Sequence, residues 1–327
     1  MKSKRNINPK EICNQIKKGN ITALSKAITL SESNIDSDQE LANKILGKLK
    51  TKNNDSIRIG ITGVPGAGKS TFIESFGNYL TNLGLKLAVL TIDPSSSVTK
   101  GSILGDKTRM ETLSANKDVF IRPSPASNFQ GGVGKNTRES IFLCESAGYD
   151  IILIETVGVG QNEISVAEMV DFFLLLKISG SGDELQGIKR GIIEMSDLIA
   201  INKCDGDNVK DSIKAKNEFK LALQLFPKKK SNWKPQVLTC SSITGDGLAE
   251  IWDCITNYVN LTKKNNYFYE NRINQNKSWL LQIIDFSLRK SFFNRKSVKM
   301  KLDNLIKKIE EEKISIFEAS QKILSEI

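Results

Sequence analysis

The segment Gly63-Val64-Pro65-Gly66-Ala67-Gly68-Lys69-Ser70 matches G-x-x-x-x-G-K-[ST], and few folds are open to a chain that carries it in the right context. That context is present. Residues 57–62 (Ile57-Arg58-Ile59-Gly60-Ile61-Thr62) read as a buried strand, and residues 71–83 read as a helix. Glycines in such a turn let backbone N–H groups wrap phosphate oxygens, and the helix N-terminus adds donors and a favourable dipole. Lys69 is expected to reach the β- and γ-phosphates of a nucleotide, and the Ser70 hydroxyl to hold Mg²⁺. Gly63, Val64, Pro65, Gly66, Ala67, Gly68 and Thr71 complete the expected phosphate cradle. A glycine-rich turn matching by accident would not also have a strand before it and a helix after it.

From residue 57 onward strands and helices alternate. The expected strands are 57–62, 87–92, 119–122, 151–155, 172–178, 198–202 and 236–239, with helices over 137–147, 211–225 and 248–259 among those between them. Several strands are unbroken apolar runs, as expected when both faces of a sheet are covered. The fold class is therefore α/β: a P-loop NTPase with a doubly wound, mostly parallel sheet spanning 57–262. Ligands of such sheets sit beyond the carboxyl ends of the strands.

Two helical flanks are expected around this domain, an N-terminal extension over 1–56 and a C-terminal arm over 263–327. In the first, Asn8 can cap a helix that has Pro9 at its first position, with Glu11 completing a capping box and Gly19 ending it. Helical spacing continues through Ala23, Leu24, Ala27 and Ile28, and a third helix is expected over 38–50. The arm contains no glycine or proline, and its apolar stripe must find a partner surface, either its own G domain or a second subunit.

Further motifs fall at strand ends. Asn202-Lys203-Cys204-Asp205 fits N-K-x-D: Asp205 would accept from guanine N1–H and the 2-amino group, Lys203 would lie over the purine, and Asn202 would brace the loop. Ser241 and Ser242 follow the 236–239 strand, where the Ser242 N–H could contact guanine O6. Glu155 ends the 151–155 strand, facing the phosphate loop, and can hold Mg²⁺ directly or through water. Gly158 could offer its N–H to a γ-phosphate, making this loop a switch. Regulatory GTPases have Asp at the Glu155 place and a water-orienting Gln where Val159 stands, so slow intrinsic hydrolysis is expected. Asp93 and Asp106 are further candidates for the metal shell.

The composition removes other classes. The chain has no histidine, so no imidazole can act as a base or ligate a metal. Five cysteines stand singly, without C-x-x-C spacing, which predicts reduced thiols in a cytoplasmic protein. The apolar runs are too short for a membrane span, and residues 1–20 lack a secretory h-region. The net charge of +10 sits on the two flanks, beside a nearly neutral centre. No aromatic-basic interleaving accompanies it, which speaks against nucleic acid as the partner.

Together these stretches resemble the MeaB/ArgK family, GTPases associated with methylmalonyl-CoA mutase. The resemblance is carried by Ala27-Ile28-Thr29-Leu30, residues 63–71, 93–110, Ile121-Arg122-Pro123-Ser124-Pro125, 155–161, Gly182-Asp183-Glu184-Leu185-Gln186-Gly187-Ile188-Lys189 and 202–205. It implies a homodimeric, GTP- and Mg²⁺-dependent chaperone of an adenosylcobalamin-dependent acyl-CoA mutase. Such a chaperone gates cofactor loading and protects or reactivates the mutase, which in turn accelerates GTP hydrolysis. By that resemblance the 182–189 loop is an extra switch, with Asp183, Gln186 and Lys189 as candidates for coupling or catalysis beside Lys69 and Glu155. Two alternatives stand beside it. A nickel- or cobalt-delivery GTPase would need His and Cys ligands close together, which this chain lacks. A GTP-controlled RNA- or ribosome-binding module is permitted by the basic flanks, with no RNA-reading motif to support it.

Overall fold

The apolar runs become strands because alternate side chains find a helix layer on each face. The computed structural model describes residues 8–49, 55–93, 110–125, 132–156, 162–180 and 190–325. Its strands are β1 (Ile57–Gly63), β2 (Leu87–Asp93), β3 (Val119–Pro125), β4 (Ile151–Thr156), β5 (Phe172–Ile178), β6 (Leu198–Asn202) and β7 (Gln236–Thr239). They form one seven-stranded sheet in the order β3-β2-β4-β1-β5-β6-β7. Each neighbouring pair is parallel. The sheet expected from the sequence is thus the one observed.

Along β4, Ile151 and Leu153 join one core while Ile152 and Ile154 join the other. The first core packs β-residues against α4 (Lys69–Asn82), the short α5 (Glu111–Ser114) and α10 (Leu248–Lys264). The second packs the opposite face against α6 (Gly132–Ser146), α7 (Asn162–Ala167), α8 (Arg190–Met195) and α9 (Val209–Leu223). The N-terminal helices α1 (Pro9–Lys17), α2 (Ile21–Glu32) and α3 (Asp36–Leu46) belong to that second core, through Ile12, Ile16, Leu24, Ile28 and Ile45. Their apolar faces therefore extend the doubly wound layers.

Local chemistry sets the helix ends. Asn8 Oδ1 accepts from the Lys10 N–H at 3.0 Å, so the first cap forms as expected. The capping box does not: Glu11 Oε1 instead accepts from Gln15 Nε2 at 3.3 Å, one turn along the helix. Gly19, at φ +76°, lets the chain turn back, with its N–H on Ile16 O and the Asn20 N–H on Gln15 O. Asn20 then caps α2 through Ala23 N at 2.9 Å. The third helix starts at Asp36 rather than residue 38, because Ser33 Oγ receives the Ile35 N–H and donates to Asp38 at 2.7 Å.

The chain divides into two compact units, 1–275 and 276–327. The division falls within α11 (Tyr267–Asn294), which begins after Asn265 Oδ1 accepts the Tyr267 N–H. The second unit has its own small core, Val298, Leu305, Ala319 and Ile323, built by α12 (Lys296–Glu310) and α13 (Ile316–Leu324). With no glycine available, Asn266 and Glu312 adopt the positive φ values at which the helices break.

At the amino end of the sheet lies a buried ionic network. Arg272 grips Asp171 with two bonds, at 2.8 and 2.6 Å, and stacks over Phe268 at 4.4 Å. Asp171 also accepts the Arg58 N–H of β1, while Arg58 pairs with Glu145 of α6 at 2.8 and 3.0 Å. Lys229 donates to Asp197 at 2.6 Å and to Met195 O at 2.7 Å, while Lys228 and Lys230 are exposed. Removing one partner of a buried ion pair strands the other charge. Asp171→Ala should therefore lower unfolding free energy by about 3–5 kcal/mol in urea titration. Lys322→Ala, which breaks the exposed pair with Glu318, should cost about 0.3–0.5 kcal/mol.

Candidate functional site

The carboxyl ends of β1, β4, β5 and β6 meet at the phosphate-loop motif. Gly63 closes β1 opposite Leu176 of β5. A Cβ there would lie 2.3 Å from the Leu176 carbonyl oxygen, so only glycine lets the loop leave the sheet at this point. Helix α4 begins at Lys69, two residues earlier than expected, which puts Lys69 and Ser70 in its first turn. Gly68 precedes it at φ +85°, and a Cβ would stand 2.9 Å from Asn202 Nδ2. The loop is therefore shaped by its own glycines and by the neighbouring N-K-x-D motif.

Asn202 is the centre of the arrangement. Its side chain is buried at the end of β6. Nδ2 donates to Ala67 O of the phosphate loop at 2.9 Å. Oδ1 accepts from the Ser242 N–H at 3.1 Å and the Ser242 hydroxyl at 2.8 Å, with Cys240 Sγ at 3.7 Å. One amide thus links residues 67, 202, 240 and 242. The Ser242 N–H, expected at guanine O6, is donated to Asn202 instead. Ser75 of α4 adds a second link, its hydroxyl donating to Ser242 O. Asp205 accepts from the Ser241 hydroxyl, which fixes its carboxylate. Lys203 sits at φ +59° and its carbonyl accepts from Asn208 Nδ2 at 2.7 Å, holding the turn.

On the phosphate side, Lys69 Nζ donates to Gly63 O at 2.8 Å and to Val64 O at 3.3 Å. Burial pushes the Lys69 ammonium pKa down, and the carboxylates Glu155 and Glu163 oppose that shift. The Ser70 hydroxyl donates to Glu155 Oε1 at 3.4 Å. A hydroxyl and a carboxylate oxygen converge here from α4 and β4. This all-oxygen pair fits Mg²⁺, which takes few protein ligands and fills the rest of its shell with water and phosphate. Asp93 ends β2 in register with Pro125, with its side chain outside the described residues. Asp106, Gly158, Asp183, Gln186 and Lys189 also lie outside the described residues.

One group at the site has no signal in the sequence motifs. Glu163 of α7 is only 5% exposed, and its Oε1 accepts from the Thr62 hydroxyl at 3.3 Å. Thr62 in turn accepts from Thr156 Oγ1 at 2.9 Å. Thr62 lies about a hundred positions before Thr156 and Glu163 and meets them through the pairing of β1 with β4.

Comparison with known proteins agrees with this geometry. A family model described as methylmalonyl Co-A mutase-associated GTPase MeaB matches residues 24–297. The chain is 45% identical over 270 residues to GTPase ArgK of Escherichia coli (strain K12), covering 83% of this chain and 82% of that one. It is 43% identical over 302 residues to the mitochondrial methylmalonic aciduria type A homolog of Mus musculus, covering 89% and 73%. A crystal structure described as a LAO/AO transport system kinase superposes with a TM-score of 0.75 at 33% identity, covering 98% of each chain.

Loss of the Asn202 amide would release the phosphate loop and both base loops together. Asn202→Ala should weaken GDP and GTP alike by about 2–4 kcal/mol, or roughly 30- to 1000-fold. Titration with a fluorescent guanine nucleotide measures this, and an affinity within threefold of the unsubstituted chain would contradict the bracing role.

Proposed function

This chain belongs to the family of methylmalonyl-CoA mutase-associated GTPases, and from that membership we propose that it is the GTP-hydrolysing chaperone of an adenosylcobalamin-dependent acyl-CoA mutase. GTPase activity and guanine-nucleotide binding belong to the family itself. The client is the proposal: methylmalonyl-CoA mutase, whose cofactor loading the chain gates and which it protects or reactivates. The observation that carries it is likeness along most of the chain, both to a family described by that mutase and to relatives described by methylmalonic aciduria.

In the proposed mechanism Lys69 and the N–H groups of residues 63–71 balance charge on the β- and γ-phosphates. Ser70 and Glu155, joined by Asp93 and Asp106, would hold Mg²⁺. Bound there, the ion neutralises charge that develops on the bridging phosphate oxygens. Asp205, oriented by Ser241, selects guanine, while Asn202 keeps the base and phosphate loops in one register. Residues 93–109, 155–163 and 180–189 act as switches that report the γ-phosphate to the mutase, with Gly158, Asp183, Gln186 and Lys189 in the reporting loops. Val159 cannot orient water, so turnover without the client is slow. The 263–327 helices supply the surface for a homodimer: Leu280, Leu281, Ile284 and Leu288 of α11 are exposed apolar residues. No described helix is long and apolar enough to cross a membrane.

The test is the GTP hydrolysis rate of the purified chain, alone and with the adenosylcobalamin-dependent mutase of the same organism, using ATP as control. The expected result is slow, GTP-specific turnover that rises when the mutase is added. A rate of tens per second without the mutase, or one indifferent to it, would count against the chaperone reading. Lys69→Ala should abolish tight GTP binding or turnover, and Asp205→Asn should shift preference from guanine towards xanthine nucleotides. Unchanged selectivity in the latter would remove Asp205 from the base site.

A further inference from the structure

Ser242 places two donors on one acceptor. Its N–H lies 3.1 Å from Asn202 Oδ1 and its hydroxyl 2.8 Å from the same atom. Both residues are buried, at 5% and 1% exposure. An amide oxygen has two lone pairs, so these two bonds fill it. The Cys240 thiol, 3.7 Å away, is a further and weaker donor. A single strong donor is enough to keep a buried acceptor from being orphaned. One of the two Ser242 donors is therefore free to serve another acceptor.

The geometry says which one. The hydroxyl is the shorter bond, and it sits on a buried side chain whose printed partner is Asn202 alone. The N–H belongs to the backbone of the 240–245 loop, beside the Ser241 hydroxyl that orients Asp205. That backbone is anchored on both sides of the N–H. Ser241 O accepts from the Gly245 N–H at 3.0 Å, and Ser242 O accepts from the Ser75 hydroxyl of α4. A tilt of one peptide between these anchors turns the N–H towards a base lying on Asp205. With the hydroxyl present, Asn202 Oδ1 keeps a strong donor through that tilt. Without it, Oδ1 falls to the thiol, and an unpaired buried acceptor is costly.

We propose that the Ser242 hydroxyl is a specificity determinant for guanine: it holds Asn202 Oδ1 while the Ser242 N–H is given to O6 of the base. The feature read is the 6-keto oxygen, apart from the N1–H and 2-amino groups assigned to Asp205. The proposal rests on the reading of Asp205 as the base site.

The experiment is competition against a fluorescent GDP, on the full chain and its Ser242→Ala, Ser242→Cys and Ser242→Thr variants. The competitors are GDP, GTP, IDP, 6-thio-GDP and ADP. IDP keeps O6 and lacks the 2-amino group. 6-thio-GDP keeps N1–H and the 2-amino group, with weakly accepting sulfur at position 6. The unsubstituted chain should prefer GDP to 6-thio-GDP. Ser242→Ala should weaken GDP, GTP and IDP by about five- to tenfold, and 6-thio-GDP by less than about twofold. Ser242→Thr keeps the hydroxyl and should bind GDP within about threefold of the unsubstituted chain. Ser242→Cys, close in shape with a weaker donor, should lie between, which keeps the test open if Ser242→Ala fails to fold. Unchanged GDP affinity in Ser242→Ala and Ser242→Cys overturns the proposal. An equal loss for GDP and 6-thio-GDP also overturns it, since the hydroxyl would then only brace the loop. So does equal binding of these two nucleotides by the unsubstituted chain, because O6 would not be read. Loss of GDP preference over ADP in the unsubstituted chain would instead sink the guanine site itself, and the two failures are thereby told apart.

Discussion

A single buried amide makes this site one object. Asn202 spends both ends of its side chain on other loops: Nδ2 on Ala67 and Oδ1 on Ser242. Its surroundings are apolar, with Ala67, Cys240 and Ala200 buried nearby in the same core. Hydrogen bonds in such a place are strong, and their loss leaves buried groups unpaired. The phosphate loop, the N-K-x-D loop and the 240–245 loop are therefore tied together through one side chain. Glycine at position 68 is part of the same constraint, since any side chain there would meet the Asn202 amide. The N-K-x-D motif and the phosphate-loop motif thus share one brace.

The sheet has two functional poles. Its carboxyl end carries the nucleotide motifs. Its amino end carries the charged knot of Arg58, Glu145, Asp171 and Arg272, with Gln275 bonded to Val170 O at 2.7 Å. That knot fixes the first turns of α11 to β1 and β5, the strands flanking the phosphate loop. A hydrophobic contact could bury as much area, but it would tolerate sliding. Paired guanidinium and carboxylate groups fix both the angle and the register.

Much of this was legible in the chain. The seven strands are found within one to three residues of the expected positions because each is an apolar run between turn residues. The motif residues fall at strand ends as expected because loop chemistry of this kind is local. Most of what stayed hidden depends on partners far away in sequence. Glu163 belongs to no motif, and its place at the site follows only from β1 bringing Thr62 beside it. Lys229 reads as one lysine of three until Asp197 is found beneath it. Glu11 fits a capping box by spacing, yet Gln15 on the next turn competes for it and wins. The Ser242 N–H could not be assigned from a tetrapeptide pattern, since its acceptor lies forty residues earlier.

The replacement of Asp by Glu at the metal-facing strand end has a physical consequence. Glu155 lies between Ile61 of β1 and Thr91 of β2, inside the sheet's own spacing. A strand residue cannot advance toward the phosphate loop without breaking its ladder, so reach must come from the side chain. The extra methylene brings the carboxylate within 3.4 Å of the Ser70 hydroxyl while β4 keeps its register. It also gives the carboxylate another torsion, and hence more positions than an aspartate has.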